Sequence, residues 1–210
     1  MCAGIRDAAN LAWKLHCVCR GAPEALLDTY ASERMPHVSD FIATAVKLGN
    51  IIQSTDPLVA AQRDQQFLAQ GPQEIVNLSP PLGPGFHRGQ GLAGQISAQP
   101  TLSDGRLLDD ALGQGFAVVS AQAIDMACIP APTLHALTAL GTQWLHDPAL
   151  HDWLQGLDAL CVLLRPDRYV FATAQSAQEM VHWDLSLALT QHSTAPHHPS
   201  PSPTVEENRP

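Results

Sequence analysis

Apolar residues recur at helical spacing from the first turn of the chain. Ile5, Ala8, Ala12 and Leu15 form one stripe, and Leu11 and Val18 widen it. The spacing predicts a helix over 1–20, stopped near Arg20-Gly21. Pro23 and Glu24 suit the opening turn of a second helix, which Leu26, Leu27 and Tyr30 carry to Met35. Pro36 is expected to end or kink it, because an interior proline loses a backbone hydrogen bond. His37 to Ser54 is helical again, with Phe41, Ala45, Leu48, Ile51 and Ile52 on one side, and Leu58 to Leu68 is a further short helix. These helices cannot build much of a core alone; their apolar stripes need a partner.

The pattern then changes. Ser79 to Gly94 holds five glycines and three prolines, which reads as a linker or a long surface crossing. Beyond it, Phe116 to Ser120 is an apolar run of strand length. Thr133 to Leu140 is a candidate helix ended by Gly141, and Asp147-Pro148 opens a helical turn through Trp153. Leu160 to Leu164 and Tyr169 to Thr173 form an expected hairpin around the turn Arg165-Pro166-Asp167-Arg168. Ser176 and Glu179 have capping-box spacing before a last helix through Met180, Trp183, Leu187 and Leu189. The order β-α-β-β-α is that of a thioredoxin-like half. The expected fold class is therefore α/β: an all-α segment over 1–78, a Gly/Pro-rich linker over 79–100, a thioredoxin-like α/β domain over 101–191, and a disordered Pro-, Ser- and His-rich tail over 192–210.

Composition narrows the function classes. With 210 residues, 45% of them hydrophobic and 15% charged, the chain fits a globular protein with one sizeable core or two small ones. A net charge of −9 argues against a nucleic-acid partner and against an anionic membrane surface. No apolar run is long enough to span a bilayer, and Arg6, Asp7 and Lys14 interrupt any signal-peptide core. The five cysteines contain no CxxC pair, which points to free thiols in a reducing, cytoplasmic setting and away from a thiol oxidoreductase.

The best candidate site is the start of the first helix. Its leading amides belong to Met1, Cys2, Ala3 and Gly4, with no capping side chain ahead of them. Such an end carries unpaired N–H groups and partial positive charge, and suits an electron-rich oxygen of a ligand. Asp7 and Asn10 could support the site from behind, but as short polar residues near the helix start they are expected to bond the local backbone. Glu33 and Arg34 are expected to form ion pairs with neighbours. The glycine cluster lacks the strand, helix and Lys-Ser/Thr end of a phosphate loop. His146 and His151, and His197 and His198, lack convergent ligands for a metal. Ser32, Ser97 and Ser103 have no nucleophile-elbow context.

The segment MCAGIRDAANLAWKL, followed by LLDTYASERMP, resembles the flavin-proximal helix and its successor in the FAD-dependent aromatic hydroxylases, the single-component flavoprotein monooxygenases that include phenol hydroxylase and 3-(3-hydroxyphenyl)propionate hydroxylase. The similarity continues through Gln99-Pro100-Thr101-Leu102, LLDDALGQGF (107–116) and LRPDRYVFA (164–172) into that family's C-terminal thioredoxin-like domain, which lacks the redox cysteine pair as this chain does. The family's GxGxxG and GD motifs are absent, so the resemblance implies the C-terminal part of such an enzyme. It implies FAD as cofactor, NAD(P)H as reductant and a phenolic aromatic compound as substrate. Met1, Cys2, Ala3 and Gly4 would bring backbone amides to the pyrimidine end of the flavin ring. No catalytic side chain is assigned. The chain alone is expected to be inactive, and a homodimer stays open. The competing expectation is a non-catalytic module that binds protein.

Overall fold

A computed structural model describes residues 2–71, 79–89 and 91–190; Met1 and the tail from His192 lie outside the described residues. Two long helices come first, α1 (Cys2–Cys19) and α2 (Ala25–Ile52), then α3 (Pro57–Gln70). The described residues 79–89 and 91–107 carry no helix or strand and lead to α4 (Leu108–Ala111). The remaining elements are β1 (Ala117–Ser120), α5 (Ala131–Ala139), β2 (Gln143–His146), α6 (His151–Gln155), β3 (Cys161–Leu164) and β4 (Val170–Ala174), with short 3-10 turns between and after them. The chain is α/β; among the described residues one mixed sheet forms, in the order β2-β1-β3-β4. β1 runs parallel to β2, and β3 runs antiparallel to β1 and β4, which is the thioredoxin-like arrangement.

The apolar runs explain the strands. β1 and β3 are buried at every residue, so both faces of the sheet are covered and no polar alternation shows in their sequence. Val118, Leu163 and Phe171 face α1 and α5, whereas Val119, Val162, Leu164 and Val170 face Leu108, Leu150 and Leu154. β2 is the strand the sequence reading lacks. Gln143-Trp144-Leu145-His146 is a half-exposed edge strand with no apolar run to mark it.

Three other expectations change. α2 passes through Pro36 without a break, so Met35 ends nothing. The expected last helix becomes two 3-10 turns, Gln178–His182 and Ser186–Ala188. Trp183 leaves helical geometry to bury its ring, and Asp184 accepts from the Ser186 amide (3.1 Å) and hydroxyl (2.6 Å), which restarts the chain locally.

The third concerns the glycine-rich segment, which is docked where a linker was expected. Leu82 and Phe86 are buried, the Arg88 amide donates to the Phe171 carbonyl (2.7 Å), and Ile96 bridges Tyr169 beside β4. Where it crosses α2, the Gly83 amide donates to the Glu33 carbonyl (2.9 Å), one turn before Pro36. A Cβ on Gly83 would overlap the Ser32 carbonyl oxygen, and one on Gly85 would overlap the Glu33 side chain. Both glycines are there for close approach. Gly85→Ala is expected to cost about 1–3 kcal/mol through overpacking against a buried group that cannot retreat. Urea unfolding of the variant checks this; an unchanged midpoint would refute it.

Candidate functional site

Cys2 opens α1, Ala3 is half-buried and Gly4 is exposed; Met1, the first of the candidate residues, lies outside the described residues. No atom lies within 4 Å of the place a Gly4 Cβ would occupy, and the first turn of α1 carries no acidic side chain. Among the described residues, the start of α1 has backbone amides and partial positive charge without a competing carboxylate in its first turn.

Behind this end, α1 is inverted relative to an ordinary amphipathic helix. Ile5 (66% exposed), Ala8, Ala12 and Leu15 point outward. The inward face holds Asn10, Trp13 and Lys14, with Asn10 and Lys14 fully buried. Charges this deep persist only when paired. Lys14 Nζ donates to Glu33 Oε2 (2.8 Å), and Asn10 Nδ2 donates to Glu33 Oε2 (2.8 Å) and Asp167 Oδ2 (3.0 Å). Arg165, from the far end of the chain, completes the group. Its Nη1 and Nη2 donate to Glu33 Oε1 and Oε2 (2.9 Å each), and its Nε and Nη2 donate to Asp167 (3.0 and 2.7 Å). Its fifth bond goes to the Phe86 carbonyl (2.9 Å), while the Phe86 amide donates to Glu33 Oε1 (2.6 Å).

Two cations and two carboxylates therefore share one buried site, the arginine being bidentate to both acids. Burial alone would raise the Glu33 carboxyl; Arg165, then Lys14 and Asn10, outweigh it and hold the group at about 2. Burial lowers Lys14 to about 8, against the attraction of Glu33. Burial would also lower Arg165, but Asp167 and Glu33 reverse that and keep it firmly charged. The guanidinium lies 5.1 Å from the Trp13 ring, and Trp13 in turn packs on Phe86 (5.7 Å) and Phe116 (5.5 Å).

A second cluster adjoins it. Arg34 Nε donates to Asp7 (2.7 Å), and the Tyr169 hydroxyl meets both Arg34 Nη1 (3.4 Å) and His37 Nε2 (3.2 Å). Burial, then the charges of Arg34 and Arg6, push the His37 imidazole down to about 4.

The ion pairs of Glu33 and Arg34 match the expectation from sequence. Asp7 and Asn10 do not bond local backbone: both side chains reach across to α2, and Asn10 to the β3–β4 turn as well, because their face of the helix is the buried one. Lys14, Arg165 and Asp167 were not singled out. The available signal was Lys14 beside Trp13 and Asn10, at positions i, i+3 and i+4 of one face.

The chain resembles known proteins over most of its length. Residues 1–45 match the family model for an FAD binding domain, which takes in α1 and most of α2. The chain is 33% identical over 200 residues to the "Probable NADH-specific resorcinol 4-hydroxylase" of Rhodococcus jostii (strain RHA1), covering 86% of this chain and 37% of that protein. It is 32% identical over 220 residues to the 3-(3-hydroxy-phenyl)propionate/3-hydroxycinnamic acid hydroxylase of Shigella sonnei (strain Ss046), covering 82% and 39%. In fold it is similar to the rebeccamycin biosynthetic enzyme RebC with reduced flavin, at a TM-score of 0.64 and 21% identity over 89% of this chain and 40% of the other. Over these stretches the chain is similar to the corresponding part of proteins named as aromatic hydroxylases, and its first 45 residues match an FAD binding domain. It spans about two fifths of the length of the curated relatives it matches.

Proposed function

We propose that the chain is the C-terminal portion of an FAD- and NAD(P)H-dependent monooxygenase that hydroxylates phenolic compounds, and that it does not catalyse the reaction by itself. Bound FAD would supply the oxygen-activating chemistry. The residues of this chain would supply a support. Backbone amides of Met1, Cys2, Ala3 and Gly4 would face the pyrimidine edge of the flavin ring, and the α1 dipole would favour negative charge there by about 0.3–2 kcal/mol, depending on burial. Residues 1–78 would complete the flavin domain and 79–100 would strap it to a thioredoxin-like domain over 101–191, in a cytoplasmic protein.

The observation that carries this reading is the inversion of α1. A helix that buries Asn10 and Lys14 beside Trp13 and leaves Ile5, Ala8, Ala12 and Leu15 open suits a boundary inside a larger molecule. α2 and α3 extend the open surface with Ile42, Ile52, Leu58 and Leu68, exposed at 58%, 78%, 76% and 84%. The same surface favours the second reading, a non-catalytic module that binds protein or pairs with itself. On either reading the purified chain is expected to self-associate. Sedimentation at tens of micromolar checks this, and a monodisperse monomer would contradict it.

FAD titration separates the two readings. The chain alone is expected to show no saturable change in flavin fluorescence. Fused behind the remaining portion of the Rhodococcus relative, it is expected to bind FAD. A soluble, folded fusion that stays flavin-free would overturn the flavin reading and leave the interaction module.

A further inference from the structure

We propose that Arg165 and Asp167, on the turn between β3 and β4, are positioning residues for α1. The use of α1 rests on the flavin reading above; the positioning rests on the contacts alone. Neither residue lies in the segment that matches the FAD-binding family, yet Asp167 holds Asn10 directly (3.0 Å), and Arg165 holds Glu33, to which Asn10 and Lys14 are also bonded. Asn10, Trp13 and Lys14 lie within one turn of helix. Asn10 and Lys14 bond the charged group, and Trp13 stacks beneath the Arg165 guanidinium. Three anchors on one face fix both the rotation and the axial slide of α1. A helix is a stiff rod, so a tilt at Asn10 is carried to Gly4, about 9 Å away.

The turn is built for this aim. Arg168 sits at φ 64°, an uncommon conformation for a residue with a side chain. Its Nη2 donates to the Gly113 carbonyl (2.7 Å) and its Nε pairs with Asp109 (2.8 Å). Held there, it closes the turn and leaves Asp167 directed inward at Asn10 and Arg165.

The test is amide hydrogen exchange on the full 210-residue chain, comparing wild type with Asp167→Asn and Asp167→Glu. Asp167→Asn removes the charge that accepts from Asn10 and Arg165, and is expected to lower protection across Asn10 to Val18 by about tenfold or more while β3 and β4 keep theirs. Asp167→Glu is expected to restore part of the loss. Should Asp167→Asn fail to fold, Asn10→Ala cuts the same link from the helix side and is expected to give the same local pattern. Protection that falls equally in α1 and the sheet, or does not fall in α1, overturns the proposal. Exchange is read without flavin, so failed FAD binding would sink the flavin reading and leave this result to stand or fall separately.

Discussion

Arg165→Met is expected to lower the stability of the chain by about 3–5 kcal/mol, the usual cost of removing one partner from a buried ion pair. Arg165 is fully buried and makes five hydrogen bonds, four of them to the carboxylates of Glu33 and Asp167. Methionine fills similar space but leaves two buried acids facing one cation, Lys14. Domains of this size hold only about 5–15 kcal/mol in total, so the variant should be largely unfolded in modest urea. Arg165→Lys keeps the charge but not the fork that serves both acids, and should recover only part of the loss. Far-UV circular dichroism in a urea series reads both. A loss under about 1 kcal/mol for Arg165→Met would mean that the charged group is not what holds the helices to the sheet.

Stability is expected to fall in two acid steps. His37 is held at about 4 against an ordinary 6.5, so between those values the unfolded chain binds a proton that the folded chain refuses. The fold loses stability as pH drops from 6.5 toward 4. Glu33 is held at about 2 against 4.5; its contribution is complete above 4.5 and disappears as pH falls toward 2. Lys14 acts at the other end. Lowered to about 8 from 10.5, it sheds its proton in the folded chain while the unfolded chain keeps it, so stability rises between those values. Thermal midpoints from pH 2 to 10 should show both acid limbs. His37→Gln should flatten the upper limb and leave the lower. A midpoint that is level from pH 7 to 5 would contradict the His37 assignment.

Local signals carried much of this fold. β1, β3 and β4 were legible as apolar runs because both faces of the sheet are covered, and the stripe of α1 was legible at helical period. That stripe is the exposed one, as a helix in need of a partner would have it. β2 escaped because an edge strand such as 143–146 needs no apolar run. The glycine-rich segment reads as flexible, yet Gly83 and Gly85 are small so that the chain can cross α2 and close over Glu33. The charged centre was beyond reach for a different reason. Asn10 and Asp167 are 157 residues apart, and Glu33 and Arg165 are 132 apart. Nothing in the spacing of either end announces the other. Arg165-Pro166-Asp167-Arg168 was readable as a turn; what it grips was not.

Glu33 and Arg165 join α1 and α2 to the thioredoxin-like sheet. A double-mutant cycle tests that most directly, with Glu33→Leu, Arg165→Met and the pair measured by urea unfolding. The double variant is expected to lose about 2–3 kcal/mol less than the sum of the two singles, because the second substitution removes the charge that the first left unpaired. Losses that simply add would show that the two residues do not act together, and the helices would then be held to the sheet by packing around Trp13 and Phe86 alone.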